Sequence, residues 1–254
     1  MARQPPARLA VHAGVATIEL DRPERLNAFN RALYSELREL LARAAEDPDV
    51  RVVVVRGAGR AFSAGADLRA RAEDPAARDV GATLRRYANP LILELRRIAK
   101  PVVAVVNGPA VGIGCSVALA CDLVVAAEPA YLMLAFANIG LGPDGGASLL
   151  TAARAGLGRA AHMGLLAGRV GAHQAERWGL VDVVAPEGGL DAEVARVVET
   201  LVAGTPGSYA AVKEALNGWL LGPLERQLEL EAWLQDERAQ SAEHEAAVTA
   251  FLGR

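Results

Sequence analysis

Two carboxylates stand out for their setting. Asp67 and Asp144 each lie alone in a loop of small residues with apolar flanks, Gly57 to Asp67 and Gly140 to Gly146. A carboxylate in such a place can cap a helix or a turn. For Asp144 an apolar setting would also raise the pKa, as a group that takes up and returns a proton near neutral pH requires. A third loop of this kind runs from Asn107 to Gly114. Small residues let the backbone approach a ligand closely, and N–H groups at a helix start favour negative charge. Two such loops aimed at one oxygen would form an oxyanion hole, although tight turns alone also account for the glycines.

Other chemistries find less support. His12, His162, His173 and His244 are scattered without metal-ligand spacing and read as surface or cap residues. Cys115 and Cys121 fall on an apolar helix, where thiols are inert. Neither Ser63 nor Ser148 sits in a Gly-x-Ser-x-Gly elbow, which disfavours a serine hydrolase. Gly112-Ile113-Gly114 follows a strand, but Val117 stands where a dinucleotide fingerprint has its third glycine. No Gly-Lys-Ser/Thr follows any glycine loop, so a P-loop is absent.

The elements that must position these loops follow from periodicity. Val15 to Leu20, Val52 to Val55, Pro101 to Val106, Leu123 to Ala126 and Val181 to Val184 read as strands. Asn30 caps a helix with Leu33, Leu37, Leu40, Leu41 and Ala44 on one face. Helical patterns cover Asp79 to Ile98, Gly114 to Ala120, Ser148 to Ala167 and Ala172 to Trp178. Beyond Leu190 charges become frequent and helical patterns run to Phe251; Lys213 and Arg226 read as solvated helix-face charges. Strands alternating with helices imply an α/β core of mostly parallel strands, residues 1–189, and a helical C-terminal part, residues 190–254.

The chain has 254 residues, 52% of them apolar and 22% charged, enough for a sizeable core. A net charge of −3 argues against nucleic acid as the main partner. Two cysteines rule out a disulfide framework and fit a reducing cytoplasm. The N-terminus carries Arg3 and Arg8 without an apolar segment, so no secretory signal is read. Pro101 to Cys121 holds no charge, but Asn107, Gly108, Pro109, Gly112 and Gly114 interrupt it; it reads as strand, loop and helix rather than a membrane span.

These segments resemble one family in order and at family spacing. Gly57 to Leu68 is similar to the first signature of the crotonase (enoyl-CoA hydratase/isomerase) superfamily. Lys100-Pro101-Val102 through Asn107-Gly108, Gly112-Ile113-Gly114-Cys115 and Cys121-Asp122 resembles its second signature. Leu20-Asp21-Arg22-Pro23 with Leu26-Asn27-Ala28 resembles its N-terminal motif, and Ile139 to Gly146 its third loop. The resemblance implies an α/β spiral of ββα units and a helical C-terminal region that assembles subunits as trimers or hexamers. It implies an acyl-CoA thioester substrate, with no metal and no redox cofactor. The thioester oxygen would sit between the N–H groups of Ala66 and Ile113, which stabilise an enolate. Arg25, Leu26, Ala28, Ala64, Asp67 and Leu68 would hold the coenzyme A, with Gly112 and Phe136 in the substrate-binding set.

The departures from the family pattern choose among its reactions. Family hydratases place two glutamates at the positions of Ser116 and Phe136, and neither residue here can activate water. The run Ile139 to Asp144 is similar to that of family isomerases, including ring-opening isomerases of phenylacetyl-CoA catabolism, where an aspartate moves a proton between carbons. Double-bond isomerisation of an enoyl-CoA by Asp144 is therefore the leading expectation. The alternatives are hydration or hydrolysis on the same scaffold, dehalogenation, and a non-catalytic acyl-CoA binder. Dehalogenation would need a His and a Trp where Tyr87 and Phe136 stand.

Overall fold

The four consecutive valines Val52–Val55 show why a central strand can be apolar at successive positions. Successive side chains of a strand point to opposite faces. Val52 and Val54 pack with Val103, Val105, Val125 and Val198 on one side of a sheet. Val53 and Val55 join Ala104, Val106 and Phe62 in the larger core on the other. With both faces covered, all four of these positions are apolar.

The computed structural model describes residues 5–73 and 79–253; Arg3 and Arg254 lie outside them. Strands β1 (Ala7–His12), β2 (Val15–Leu20), β3 (Val52–Gly57), β4 (Val102–Val106), β6 (Leu123–Ala127) and β9 (Val183–Ala185) form one sheet in the order β1-β2-β3-β4-β6-β9. β1 pairs antiparallel with β2, and the remaining pairs are parallel. Strands β5 (Ala110–Val111), β7 (Tyr131–Met133) and β8 (Val170–Gly171) form a second, small sheet. The strands β1, β5, β7 and β8 have no counterpart in the sequence reading.

Helix α1 (Arg31–Glu46) starts at Asn30, whose side chain accepts the Leu33 N–H at 2.9 Å. It buries Leu33, Leu37, Leu40, Leu41 and Ala44, as the spacing predicts. The helical stretch from residue 79 onward is α3 (Val80–Thr83) and α4 (Asn89–Arg97), joined by a wider turn at Leu84–Ala88. The stretch from 148 is not one helix but two, α6 (Ala147–Ala155) and α7 (Leu157–Leu166). Gly156 divides them at φ +85°, a conformation that ends a helix. Pro101 to Cys121 forms β4, the glycine loop, β5 and α5 (Ile113–Ala120). No helix among the described residues is long and apolar enough to cross a membrane.

The C-terminal helices share the cores of the preceding chain. Helix α9 (Leu190–Ala203) covers the Val52/Val54 face through Val198. Helix α10 (Pro206–Ala239) adds Leu220, Leu224, Leu228 and Ala232 to the larger core. Lys213 on α10 is not a solvated charge: it is buried and donates to Asp122 Oδ2 at 2.6 Å and to the Lys100 carbonyl at 3.0 Å. Arg226 is exposed.

Candidate active site

Parallel strands β3 and β4 are neighbours, so the loops leaving their C-terminal ends lie side by side. The Ser63 N–H donates to the Pro109 carbonyl at 3.0 Å, and the Val111 N–H returns a bond to the Ser63 carbonyl at 2.9 Å. On its other flank, the first loop is tied to the chain before α1: Phe29 N–H donates to the Gly65 carbonyl at 2.7 Å, and Asp67 N–H to the Phe29 carbonyl at 2.9 Å. Gly65 and Gly112 touch: a Cβ on Gly65 would lie 2.9 Å from the Val111 oxygen and 3.8 Å from the Gly112 Cα. Both have positive φ, +96° and +53°. Only glycine allows this turn and this approach together. Ala66 and Ile113, the next residues in each loop, line one cavity of about 930 Å³. Neither N–H donates to an acceptor among the described residues. Two amides without an acceptor, from separate turns, thus belong to the wall of one cavity, which is the raw material of an oxyanion hole.

Asp144 lies in the wall of the same cavity. Its loop is clamped from two helices. From α5, Ser116 Oγ donates to the Asp144 carbonyl at 2.9 Å. From α10, Gln235 Nε2 donates to the Gly142 carbonyl at 2.7 Å and reaches Asp144 Oδ2 at 3.3 Å. Glu231 accepts from the Gly146 N–H at 2.6 Å and from the Ser148 N–H and hydroxyl at 3.1 and 2.6 Å. Asp144 Oδ1 is buried without a hydrogen-bond partner. Burial, reinforced by the negative charge of Glu231, pushes the Asp144 pKa up to about 8, while Arg71 opposes the shift. A carboxyl with one free oxygen and a pKa near neutrality can both take and give a proton.

The structure gathers Asp144, Ala66, Ile113, Ala64, Asp67, Leu68, Gly112 and Phe136 around this cavity. Asp67 is already engaged: its Oδ2 accepts from Arg22 at 2.8 Å and its Oδ1 from the Ala70 N–H at 3.0 Å. Arg25, Leu26 and Ala28 do not line the cavity. Arg25 is exposed, the Leu26 carbonyl accepts from the Ala64 N–H at 2.9 Å, and the Ala28 carbonyl accepts from the Arg22 guanidinium. Between them Asn27 is fully buried, donating to the carbonyls of Ala58 and Ala61 at 2.9 and 2.8 Å. This motif fastens the first loop to the chain before α1. Ser63 is structural too, since its hydroxyl donates to the Asn27 carbonyl at 2.9 Å.

Both cysteines are buried, and burial pushes their thiols up to about 12. His12, His162 and His173 are exposed, but His244 is not a surface residue. It is buried on α11 (Ala242–Leu252), with Nδ1 2.6 Å from the Ile139 carbonyl and Nε2 3.4 Å from Arg71. Sequence reasoning missed Glu231 and Gln235. They lie one helical turn apart beside the apolar positions Leu224, Leu228 and Ala232, a spacing that the mixed faces of this long helix do not single out.

Comparison with known proteins gives the family. The profile of the enoyl-CoA hydratase/isomerase family matches residues 10–254. The 1,2-epoxyphenylacetyl-CoA isomerase of Escherichia coli (strain K12) is 37% identical over 96% of this chain and 94% of its own length. The 2,3-dehydroadipyl-CoA hydratase of the same organism is 34% identical over 94% of this chain and 92% of its own. The crystal structure of an enoyl-CoA hydratase from Mycobacterium avium subsp. paratuberculosis K-10 superposes with a TM-score of 0.89 at 38% identity, covering 98% of this chain and 96% of that one. With a family profile matched over nearly its whole length and relatives and solved structures that share its fold, the chain belongs to the enoyl-CoA hydratase/isomerase family of the crotonase superfamily.

Proposed function

We propose that the protein isomerises the double bond of an enoyl-CoA, with Asp144 as the proton shuttle. The observation that carries this reading is Asp144 Oδ1, a buried carboxylate oxygen with no partner in the wall of the cavity that Ala66 and Ile113 share. In a 3-enoyl-CoA the α-protons lie between the thioester and the double bond. Ionised Asp144 takes one of them, and the C–H electron pair spreads into a dienolate. The thioester oxygen then carries the charge and is held by the N–H groups of Ala66 and Ile113. Each such donor contributes roughly 10²–10³ in rate, because it meets charge that exists only after proton loss. The protonated Asp144 returns its proton to the γ-carbon, and the electrons settle as the conjugated C2–C3 double bond. The cycle is redox-neutral and needs neither a metal nor a redox cofactor.

A single acid–base group suffices for this, whereas hydration needs one group for water and another for carbon. The other carboxylates of the cavity wall do not supply the second: Asp67 is paired with Arg22, and Glu73 is solvent-exposed at the end of α2 (Leu68–Glu73). Ser116 spends its hydroxyl on the Asp144 carbonyl, and Phe136 is apolar. A relative at 37% identity is itself named as an isomerase of an acyl-CoA. Purified protein given 3-hexenoyl-CoA should form 2-hexenoyl-CoA, and Asp144→Asn should lose this activity. Rapid formation of 3-hydroxybutyryl-CoA from crotonyl-CoA would instead favour hydration, the reaction named for other relatives.

A further inference from the structure

Besides Asp144, the cavity wall holds a polar side chain that no described residue engages. Tyr34, in the first turns of α1, is only 5% exposed and lines the cavity, yet its hydroxyl makes no hydrogen bond among the described residues. Its ring is held between Phe29, with centroids 4.9 Å apart, and Tyr87, 6.5 Å away, so the hydroxyl has a fixed position. A phenylalanine would fill the same space without a polar atom to satisfy. Much of the surrounding wall is apolar, with Val80, Leu84, Ile139 and Leu141. Arg71 also lines the cavity: among the described residues its guanidinium has one hydrogen-bonding neighbour, His244 Nε2 at 3.4 Å, and its charge acts on Asp144. Burial first, and the charge of Asp144 second, hold the Tyr34 phenol well above its ordinary pKa, so it keeps its proton and is a donor.

We infer that the acyl group carries an oxygen acceptor, and that Tyr34 donates a hydrogen bond to it. This rests on the acyl-CoA reading of the cavity given above. A hydrocarbon chain entering the cavity displaces water and leaves the Tyr34 hydroxyl buried and unpaired. A carbonyl, ether or epoxide oxygen restores the bond. A site built around a buried donor rejects the analogue that lacks the acceptor. Tyr34 and Asp144 line the same cavity, so an acyl chain that Asp144 serves passes the wall that carries the phenol. Tyr34 is thus assigned as a specificity-determining residue for an oxygenated acyl-CoA.

The test is calorimetric binding of hexanoyl-CoA, 4-oxohexanoyl-CoA and 5-oxohexanoyl-CoA to the full chain and to Tyr34→Phe. These ligands are saturated, so no turnover is required. At least one oxo ligand should bind the natural protein about 10-fold more tightly than hexanoyl-CoA, a difference of about 1.4 kcal/mol. In Tyr34→Phe that ratio should fall to about one, while the melting temperature holds or rises, because the lost hydroxyl had no protein partner. No oxo preference in the natural protein would overturn the inference. So would a preference that survives in Tyr34→Phe, which would move the recognition to Arg71. Failure of hexanoyl-CoA itself to bind would overturn the acyl-CoA reading, and this inference with it.

Discussion

Asp144→Asn should separate what the carboxylate does for chemistry from what it does to stability. The amide keeps the shape of the side chain and can still accept from Gln235 Nε2, so the loop stays clamped. What disappears is a titratable group whose pKa is about 8 when folded against an ordinary 3.8. The folded chain therefore holds a proton that the unfolded chain has given up. Its stability contribution is complete below the ordinary value and declines as the pH rises towards 8. Between pH 5 and pH 9 that decline is on the order of 4 kcal/mol, at about 1.36 kcal/mol per pH unit over the window. Asp144→Asn lacks the term. Urea unfolding of both proteins at equal concentration, at pH 5 and pH 9, should show the variant losing about 4 kcal/mol less than the parent, together with loss of isomerase activity. Stability curves that run parallel would refute the claim that a buried, proton-holding carboxyl sits at this position.

Three more outcomes follow from the same geometry. Glu231→Gln removes the charge that helps raise Asp144, so the alkaline-rising limb of kcat/KM should move to lower pH; an unmoved midpoint would separate Glu231 from the site. Gly65→Ala places a Cβ 2.9 Å from the Val111 carbonyl oxygen at a φ of +96°, shifting the Ala66 N–H. Its kcat/KM should fall about 10²-fold, the effect of one lost oxyanion donor, as read in the isomerisation assay. Lys213→Ala leaves Asp122 with Arg96, at 3.0 Å, as its remaining ion-pair partner among the described residues, and should cost about 3 kcal/mol in urea unfolding with kcat unchanged.

How far the sequence could be read depended on how local each signal was. The run Val52 to Val55 and the Asn30 cap carry their own evidence, because burial on two faces and a side-chain cap are written in adjacent residues. Gly57 to Asp67 and Asn107 to Gly114 were legible as turns. Their meeting at Gly65 and Gly112 depends on β3 lying next to β4, a contact between distant segments that periodicity does not encode. Asp144 was visible as a lone acid, yet its clamp was not. Gln235 lies 91 residues further on, in a 34-residue helix whose faces are too mixed to mark a buried polar pair. Lys213 misled for the same reason, since its partner Asp122 comes from the end of α5. Residues 84–88 and Gly156 interrupt helices that their apolar spacing alone would have continued.

The account stands on one carboxylate serving both carbons, and a labelled substrate reports on that directly. 3-Hexenoyl-CoA deuterated at the α-carbon, turned over in ordinary water and read by NMR, should yield 2-hexenoyl-CoA with part of the deuterium at the γ-carbon, because buried Asp144 hands back what it took. A 3-hydroxyacyl product, or a shifted double bond with no label at the γ-carbon, would mean that water or a second group completes the reaction, and would contradict the account.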